Sequence, residues 1–167
     1  MSPRVILVGA PGCGKSTVGE LLAGQLGLTF RDTDADVEAI TGMAISDLFV
    51  EKGEQYFREL ESEAVRAAID SHDGVLSLGG GAIIREETQA VLAGQRVAYL
   101  EVDAAEAARR VGLNTARPLL LGNVRGQLSQ LLAQRRPLYE KVATITVSTV
   151  GRPAEEVATL IVKELSA

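Results

Sequence analysis

Residues 9–17 read GAPGCGKST, and this stretch decides the fold. It fits the pattern G-x-x-x-x-G-K-[ST] without a gap. The apolar run Val5–Val8 precedes it, and a helical pattern through Leu26 follows it. A strand, a glycine loop and a helix in this order form a loop whose backbone N–H groups bind the phosphates of a nucleotide. A plain glycine-rich turn with a solvent-exposed lysine fits less well, because both the spacing and the context match.

The loop predicts a role for several of its residues. We expect Lys15 to reach the β- and γ-phosphates and the Ser16 hydroxyl to bind Mg²⁺. Cys13 contributes its backbone N–H. The predicted nucleotide-binding residues of the loop are Gly12, Cys13, Gly14, Lys15, Ser16 and Thr17. The loop does not say which molecule accepts the phosphate.

Composition indicates a globular protein. The 167 residues are 46% hydrophobic and 23% charged, which fits one domain over 1–167. A net charge of −5 argues against a nucleic-acid partner. No apolar run approaches the roughly 20 residues of a membrane span, and the N-terminus does not resemble a secretory signal. The single cysteine excludes an internal disulfide, so we expect a cytoplasmic protein.

Strands and helices alternate along the chain. Apolar runs predict five strands, at 5–8, 28–31, 75–78, 97–100 and 145–147. Helical patterns occupy 18–26, 37–40, 45–49, 53–69, 86–93, 104–111, 124–135 and 154–165, the seventh ending near Pro137. This alternation predicts an α/β fold with a parallel sheet covered by helices on both faces. Ligands of such sheets bind beyond the carboxyl ends of the strands.

Two carboxylates, Asp32 and Asp34, follow the second predicted strand. Side chains two positions apart on a strand point in similar directions. One carboxylate could serve Mg²⁺ through water, and the other could orient an attacking hydroxyl or accept its proton. Capping of the next helix explains the same residues equally well.

Two arginines could bind an anionic group. Arg58 lies beside the apolar stripe of a long helix, and Glu54 and Glu61 at i−4 and i+3 favour an ordinary surface ion-pair network. Arg136 extends the apolar line of a later helix just before Pro137, where a cation needs an anionic partner or a route to solvent. Together Arg58 and Arg136 suggest recognition of a carboxylate or a phosphate.

A segment bounded by Gly112 and Gly122 has Arg117 near its centre. It is typical of a lid, at about 112–124, whose arginine would stabilise charge on a transferring phosphate and exclude water. A plain connecting loop is the alternative. Arg110, just before this segment, could cover the nucleotide base or face solvent.

A second glycine cluster, SLGGGAI at residues 77–83, follows the third predicted strand. Glycine tolerates positive φ and lets other groups approach the backbone closely. The cluster therefore raises the question of what approaches Gly79, Gly80 and Gly81.

Four stretches together strongly resemble the shikimate kinase family. They are DTDADVEAITGMAISDLFVEKGEQYFRELE at 32–61, SLGGGAI at 77–83, ARPLL at 116–120 and RRPLYEKVA at 135–143. The resemblance covers nearly the whole chain. It implies transfer of the γ-phosphate of ATP to the 3-hydroxyl of shikimate, in aromatic amino-acid biosynthesis. It also implies the P-loop kinase fold, a three-layer sandwich with a five-stranded parallel sheet ordered 2-3-1-4-5.

The resemblance implies roles on the acceptor side, in a region of about 33–61 and beyond. Gly79, Gly80 and Gly81 would line the shikimate pocket. Asp34 would bind the ring hydroxyls and either orient or deprotonate the attacking one. Arg58 and Arg136 would hold the shikimate carboxylate.

The resemblance also implies roles on the nucleotide side. Asp32 would serve Mg²⁺ through water, and Arg117 would reach the phosphates of ATP and act in catalysis with Lys15 and Asp34. Arg110 would lie near the adenine, and Arg152 and Pro153 would belong to the adenine-side loop. The implied partners are shikimate and ATP, bound by a monomer.

Two other functions stay open on the residues. A related kinase acting on gluconate or a nucleoside monophosphate would share the fold. A nucleotide-dependent switch or binding module would predict a guanine-reading N-K-x-D loop, which the sequence lacks. Phosphoryl transfer needs no nucleophilic side chain, and we expect the lone histidine, His72, to be exposed to solvent rather than catalytic.

Overall fold

Five strands form one parallel sheet in the computed structural model, which describes residues 2–114 and 124–167. The strands are β1 (Val5–Val8), β2 (Phe30–Asp32), β3 (Val75–Ser77), β4 (Val97–Glu101) and β5 (Ile145–Ser148). Their order is β2-β3-β1-β4-β5, and every neighbouring pair is parallel. All four residues of the central strand β1 are buried, as a strand covered on both faces requires. The predicted sheet and its order are confirmed.

Helices flank this sheet. The described residues contain α1 (Lys15–Leu26), α2 (Thr33–Thr41), α3 (Ile45–Lys52), α4 (Glu54–Ser71), a 3₁₀ turn (Ala82–Ile84), α5 (Glu86–Leu92), α6 (Ala104–Asn114), α7 (Val124–Val142) and α8 (Ala154–Ser166). Helix α1 packs against α8, α4 packs against α5, and α6 packs against α7. None of the helices in the described ranges combines the length and the apolarity that a membrane crossing needs.

Buried apolar residues form two clusters. The larger one includes residues of β1, β3, β4 and β5 and of the helices that pack on the sheet. The smaller one consists of Val37, Leu48, Phe57 and Ala64, on α2, α3 and α4. The predicted acceptor region thus has an apolar cluster of its own, which holds α2 and α3 against the longer helix α4.

Helix α7 continues through Pro137, so the predicted helix end near this residue is wrong. Proline removes one helical hydrogen bond and crowds the preceding turn. The residues beyond it compensate, because Tyr139 is fully buried while Leu138 and Val142 pack against the main core. Burial of these side chains outweighs the local preference to stop.

His72 is buried, so the expected solvent exposure is wrong. Its ring Nε2 lies 3.2 Å from the carbonyl oxygen of Val75. The residue follows α4 and precedes β3, at the amino end of the strand. Its contact is therefore structural and lies at the edge of the sheet opposite the phosphate loop.

Candidate active site

A cavity of about 360 Å³ lies at the carboxyl ends of β1, β2 and β3. The phosphate loop, the start of α2 and the segment after β3 meet there because parallel strands end at one edge of the sheet. The residues lining it are Pro11, Gly12, Gly14, Lys15, Ser16, Thr17, Asp32, Asp34, Ser77, Leu78, Gly79 and Gly80. The structure thus brings together the predicted nucleotide loop, both aspartates and two of the three clustered glycines.

The phosphate loop turns through glycines in the left-handed region. Gly12 has φ 83° and Gly14 has φ 92°, values that other residues rarely adopt. Helix α1 begins directly after Gly14, so its unpaired N–H groups and positive dipole end face the cavity. The Lys15 ammonium donates a hydrogen bond of 2.6 Å to the carbonyl oxygen of Gly9. The Lys15 ammonium and the free N–H groups of α1 lie at the same cavity, and together they favour the binding of an anion.

The two aspartates have separate environments. The Asp34 N–H donates to Asp32 Oδ1 at 2.9 Å, so Asp32 caps helix α2 while also lining the cavity. Asp34 Oδ1 is buried and has no hydrogen-bond partner among the described residues. Burial raises the pKa of both carboxyls, and the charge of Asp32 raises that of Asp34 further. Asp32 therefore caps α2 and lines the cavity at the same time, so the two interpretations of the sequence do not exclude each other.

Arg58 is not part of a surface network. Its side chain is only 14% exposed, and its Nη1 donates to Glu61 Oε1 at 2.8 Å. The guanidinium also lies 5.3 Å from the ring centroid of Phe57 and 5.8 Å from that of Phe49. Its contact with the exposed Glu54 is longer, at 3.6 Å. Aromatic rings and one buried carboxylate thus hold this guanidinium in place.

Charged side chains approach the backbone of the glycine triplet, Gly79 to Gly81, so closely that a Cβ would not fit at Gly79 or Gly81. A Cβ on Gly79 would lie 2.5 Å from Asp34 Oδ1 and 2.8 Å from Glu61 Oε2. A Cβ on Gly81 would lie 2.5 Å from Arg58 Nη1. None of the three belongs to the described glycines with positive φ. The triplet therefore exists because charged side chains pack directly on its backbone.

Arg136 does not join Arg58, which corrects the assignment from sequence. Its side chain is 58% exposed and donates to Glu101 and Glu140 at 3.0 Å each. It lines a second cavity of about 250 Å³, together with Tyr99 and Glu101. Its partners are surface carboxylates of β4 and α7, so it has no contact with the glycine triplet or with Arg58.

Arg135, which was not predicted, takes the position expected of Arg136. A Cβ on Gly80 would lie 3.5 Å from Arg135 Nη1. The charge of Arg135 also acts on Glu61, where it opposes the rise in pKa that burial causes. The charges of two guanidinium groups, those of Arg58 and Arg135, thus lower the pKa of Glu61 against the effect of burial.

Glu61 is the second residue missed from the sequence. It is 3% exposed, and burial raises its pKa although the hydrogen bond and charge of Arg58 lower it. A signal was available, because Glu61 lies four residues after Phe57 and three before Ala64, both buried. These spacings place it on the buried face of α4 rather than on the surface.

Arg110 connects the phosphate loop to the end of β5. Its Nη1 donates to the carbonyl oxygen of Gly12 at 3.1 Å and to Thr149 Oγ1 at 3.2 Å, and its Nη2 donates to the Thr149 carbonyl oxygen. Glu106 accepts from its Nε at 3.0 Å. The hydrogen bond from Arg109 and that from Arg110 lower the pKa of Glu106 to about 2. Arg110 is therefore fixed beside the loop and does not simply face solvent.

The remaining predicted residues lie further out. Arg152 is exposed and donates to the Ser148 carbonyl oxygen at 3.0 Å. Pro153 is exposed and precedes the first residue of α8. Arg117 and most of the predicted lid lie outside the described residues.

The phosphate loop shares one sheet edge with a glycine triplet that the carboxylates of Asp34 and Glu61 and the guanidinium groups of Arg58 and Arg135 approach. This combination defines a P-loop kinase of small molecules.

Comparison with known proteins identifies the family. A family model described as "Shikimate kinase" matches residues 11–166. A shikimate kinase from Thermobifida fusca is 57% identical over 165 residues, which cover 99% of this chain and 96% of the relative. The chain belongs to the shikimate kinase family, and it is an ATP-dependent kinase.

Solved structures agree. The chain aligns with a shikimate kinase from Acinetobacter baumannii in complex with shikimate at a TM-score of 0.91 and 34% identity, covering 99% of this chain and 94% of that one. It aligns with a shikimate kinase from Bacteroides thetaiotaomicron at a TM-score of 0.90 and 26% identity, with full coverage of both chains.

Proposed function

We propose that the chain transfers the γ-phosphate of ATP to the 3-hydroxyl of shikimate, with the acceptor bound in the cavity beside the glycine triplet. One arrangement carries this proposal. Asp34 Oδ1 and Arg58 Nε are buried without hydrogen-bond partners among the described residues, and their side chains flank the triplet on either side. An orphaned acceptor and an orphaned donor suit a ligand that has both hydroxyls and a carboxylate, since unpaired buried polar groups are costly.

On the acceptor side, Arg58 and Arg135 would bind the shikimate carboxylate, because guanidinium groups match carboxylate geometry. Glu61 would hold Arg58 in place. The triplet backbone would face the ring, since a side chain there would occupy the space of the ligand or displace the charged groups.

Asp34 would bind the hydroxyl that attacks the phosphate. Its raised pKa makes it a stronger base than an exposed aspartate. Phosphoryl transfer passes through a loose transition state, so orientation of the hydroxyl contributes more than early proton removal.

On the nucleotide side, the loop N–H groups and Lys15 would hold the phosphates. Lys15 would exchange its bond to the Gly9 carbonyl oxygen for phosphate oxygens. Arg110, fixed beside Gly12 and Thr149, would lie next to the adenine, together with Arg152 and Pro153. We assign the contact of Arg117 with the phosphates from the family pattern alone.

We also propose Mg²⁺ as the cofactor. Ser16 and Asp32 line the same cavity, and hydroxyl and carboxylate oxygens are ligands that Mg²⁺ prefers. Burial raises the pKa of Asp32, and the charge of Lys15 opposes this, so an added cation would stabilise the ionised carboxylate. When bound, Mg²⁺ would neutralise charge on the phosphate oxygens.

We propose further that the chain is a single domain that acts as a monomer in the cytoplasm. The sheet and most of its helices share one apolar cluster, and the smaller cluster packs beside it through α4. Light scattering on the purified protein would give the mass of one chain if this is right, and twice that mass if it dimerises.

The test of the proposed function is ADP release from Mg-ATP with and without shikimate. We expect release that depends on shikimate and falls by about 10²- to 10⁴-fold in Asp34→Asn, the range of general acid–base contributions. Asp73→Asn is the matched control, because Asp73 is exposed and lines a separate cavity at the opposite edge of the sheet. Folded protein that binds ATP but releases no shikimate-dependent ADP would overturn the proposal.

A further inference from the structure

Tyr139 is buried where the acceptor site meets helix α7. Its side chain is completely inaccessible to solvent. Its hydroxyl donates a hydrogen bond of 2.6 Å to the carbonyl oxygen of Gly80, the central residue of the triplet. Its ring stacks on that of Tyr99, with centroids 5.1 Å apart and planes inclined by 25°. Stacking fixes the ring, and the ring fixes the position of the hydroxyl.

The same helix carries Arg135. Residues 135 and 139 are one helical turn apart, so their side chains share a face of α7. This holds only because the helix continues through Pro137. Arg135 lies beside the phenol, where its charge and hydrogen bonding oppose the rise in the pKa of Tyr139. A Cβ on Gly80 would also lie within 3.5 Å of Arg135 Nη1. Arg135, Tyr139 and the Gly80 peptide therefore meet at one point.

The phenol is suited to a fixed role as donor. Burial raises the pKa of Tyr139 to about 12, so the hydroxyl keeps its proton near neutral pH. The Gly80 carbonyl oxygen has a permanent donor in consequence. The peptide plane of Gly80 is then held in one orientation relative to the cavity that Gly79 and Gly80 line.

We propose that Tyr139 is a positioning residue for the acceptor: its hydroxyl holds the Gly80 peptide so that the triplet and Arg135 form one preformed binding surface. The inference rests on the proposed function, since it names how the acceptor side of that site is fixed before shikimate arrives. Preorganisation of this kind lowers the ordering cost of binding. The hydrogen bond of Tyr139 should therefore raise the affinity for the acceptor and leave nucleotide binding by the phosphate loop unchanged.

The test compares Tyr139→Phe with Tyr99→Phe. Both changes remove one hydroxyl and keep the stacked ring pair, but Tyr99 lines the second cavity instead of the acceptor cavity. For Tyr139→Phe we expect the KM for shikimate to rise about 5- to 10-fold, as loss of one hydrogen bond predicts. The KM for ATP and kcat should stay within about twofold of the wild type. Tyr99→Phe should leave all three within about twofold.

Three outcomes would overturn the inference. An unchanged shikimate KM in folded Tyr139→Phe would show that the hydroxyl does not position the site. An equal rise in the KM values for shikimate and ATP, or an equal effect of both variants, would show that the tyrosine pair serves general stability. Wild-type protein without shikimate-dependent ADP release would overturn the proposed function itself, and this inference with it.

Calorimetry adds a readout that is independent of turnover. Tyr139→Phe should bind shikimate more weakly by the same factor while its affinity for ADP stays unchanged. Amide hydrogen exchange should increase in peptides covering 78–84 of Tyr139→Phe and stay at the wild-type level in β1. Unchanged exchange at 78–84 would contradict a loosened triplet.

Discussion

A single position along α7 separates an arginine beside Gly80, Arg135, from one at the surface, Arg136. Leu128 is buried, and residue 135 lies seven positions further on, about 20° from the same helix face. Residue 136 lies eight positions on, about 80° away. Following apolar residues in steps of four therefore drifts off the buried face. The line of apolar residues and the family resemblance both pointed to Arg136, whereas Arg135 lies closer to the helix face of Leu128.

Arg135→Ala should weaken acceptor binding, and Arg136→Ala should not. A hydrogen bond between charged groups contributes about 1.5–3 kcal/mol, so we expect the KM for shikimate to rise about 10- to 100-fold in Arg135→Ala. Arg136 pairs with Glu101 and Glu140 at the surface, and its loss should change this KM by less than about threefold. Steady-state kinetics on both variants, with ATP saturating, provides the measurement. The reverse order of effects would restore Arg136 as the acceptor arginine.

Where a motif fixed the spacing, the sequence predicted which residues lie together, while their chemical roles stay predictions. The structure places Gly12, Asp32, Asp34 and residues 14–17 of the phosphate loop at one cavity. Cys13 of the same loop is buried and does not line this cavity. Glu61 was seen as one partner of Arg58, but its burial was not foreseen. A pair at i and i+3 looks the same in sequence whether it faces solvent or the core. The spacing of Glu61 from the buried residues Phe57 and Ala64 carries the signal that the ion pair by itself lacks.

The helices and strands were mostly predicted, with errors at their ends. Strand β2 was expected at 28–31 and occupies Phe30–Asp32, a shift that brings Asp32 to the last position of the strand. The ladder with β3 pairs Asp32 with Ser77 and so sets this end. Pairing partners lie more than 40 residues away, which explains why local patterns could not place the boundary.

The glycine triplet is an element whose function depends on having no side chains. Gly81→Ala would place a methyl group 2.5 Å from Arg58 Nη1, so the guanidinium would have to move. Because displacement of a positioning group by about 1 Å can cost 10²-fold, we expect kcat/KM for shikimate to fall about 10- to 100-fold. The KM for ATP should change little, since Gly81 does not line the phosphate-loop cavity.

Gly24→Ala is the matched control for this change. Gly24 lies within α1, and a Cβ there would meet nothing within 4 Å. Alanine should stabilise the protein by about 0.5–1 kcal/mol through backbone entropy and leave the kinetics unchanged. Thermal unfolding and initial rates of both variants distinguish the two effects. Normal shikimate kinetics in Gly81→Ala would contradict the close packing of Arg58 on the triplet.

At the scale of the whole molecule, alternation of strands and helices was enough to predict a parallel sheet. The strand order was not contained in the alternation, since several orders satisfy right-handed crossovers. It came from the family resemblance, and the structure confirms it. The order places β3 beside β1 and β2 beside β3, and the carboxylates at the end of β2 and the glycines after β3 line one cavity with the phosphate loop. Strand β4 lies on the other side of β1, and Glu101 and its partner Arg136 line the second cavity there.

The free energy of unfolding of the ligand-free protein should depend on the buried carboxyl groups of the site. Burial raises the pKa of Asp34 and of Glu61 in the folded protein. A carboxyl group with a raised pKa binds its proton more tightly folded than unfolded. Its contribution to the unfolding free energy therefore decreases as the pH rises from about 4, the pKa of an unfolded carboxyl. Part of the stability of the ligand-free protein is thus given up to keep these groups ionised near neutral pH.

Asp34→Asn should therefore melt at a higher temperature than the wild type at pH 7–8, although its activity is lost. The difference should shrink as the pH falls towards about 4, because the folded aspartate then gains its proton and the unfolded one begins to do so. Thermal unfolding between pH 4 and 8 without ligands tests this, with Asp73→Asn as the exposed control. Shikimate at a hundredfold excess over its Kd should add about 2.7 kcal/mol to the wild type and less to the variant. A variant that melts below the wild type at neutral pH would show that Asp34 stabilises the fold.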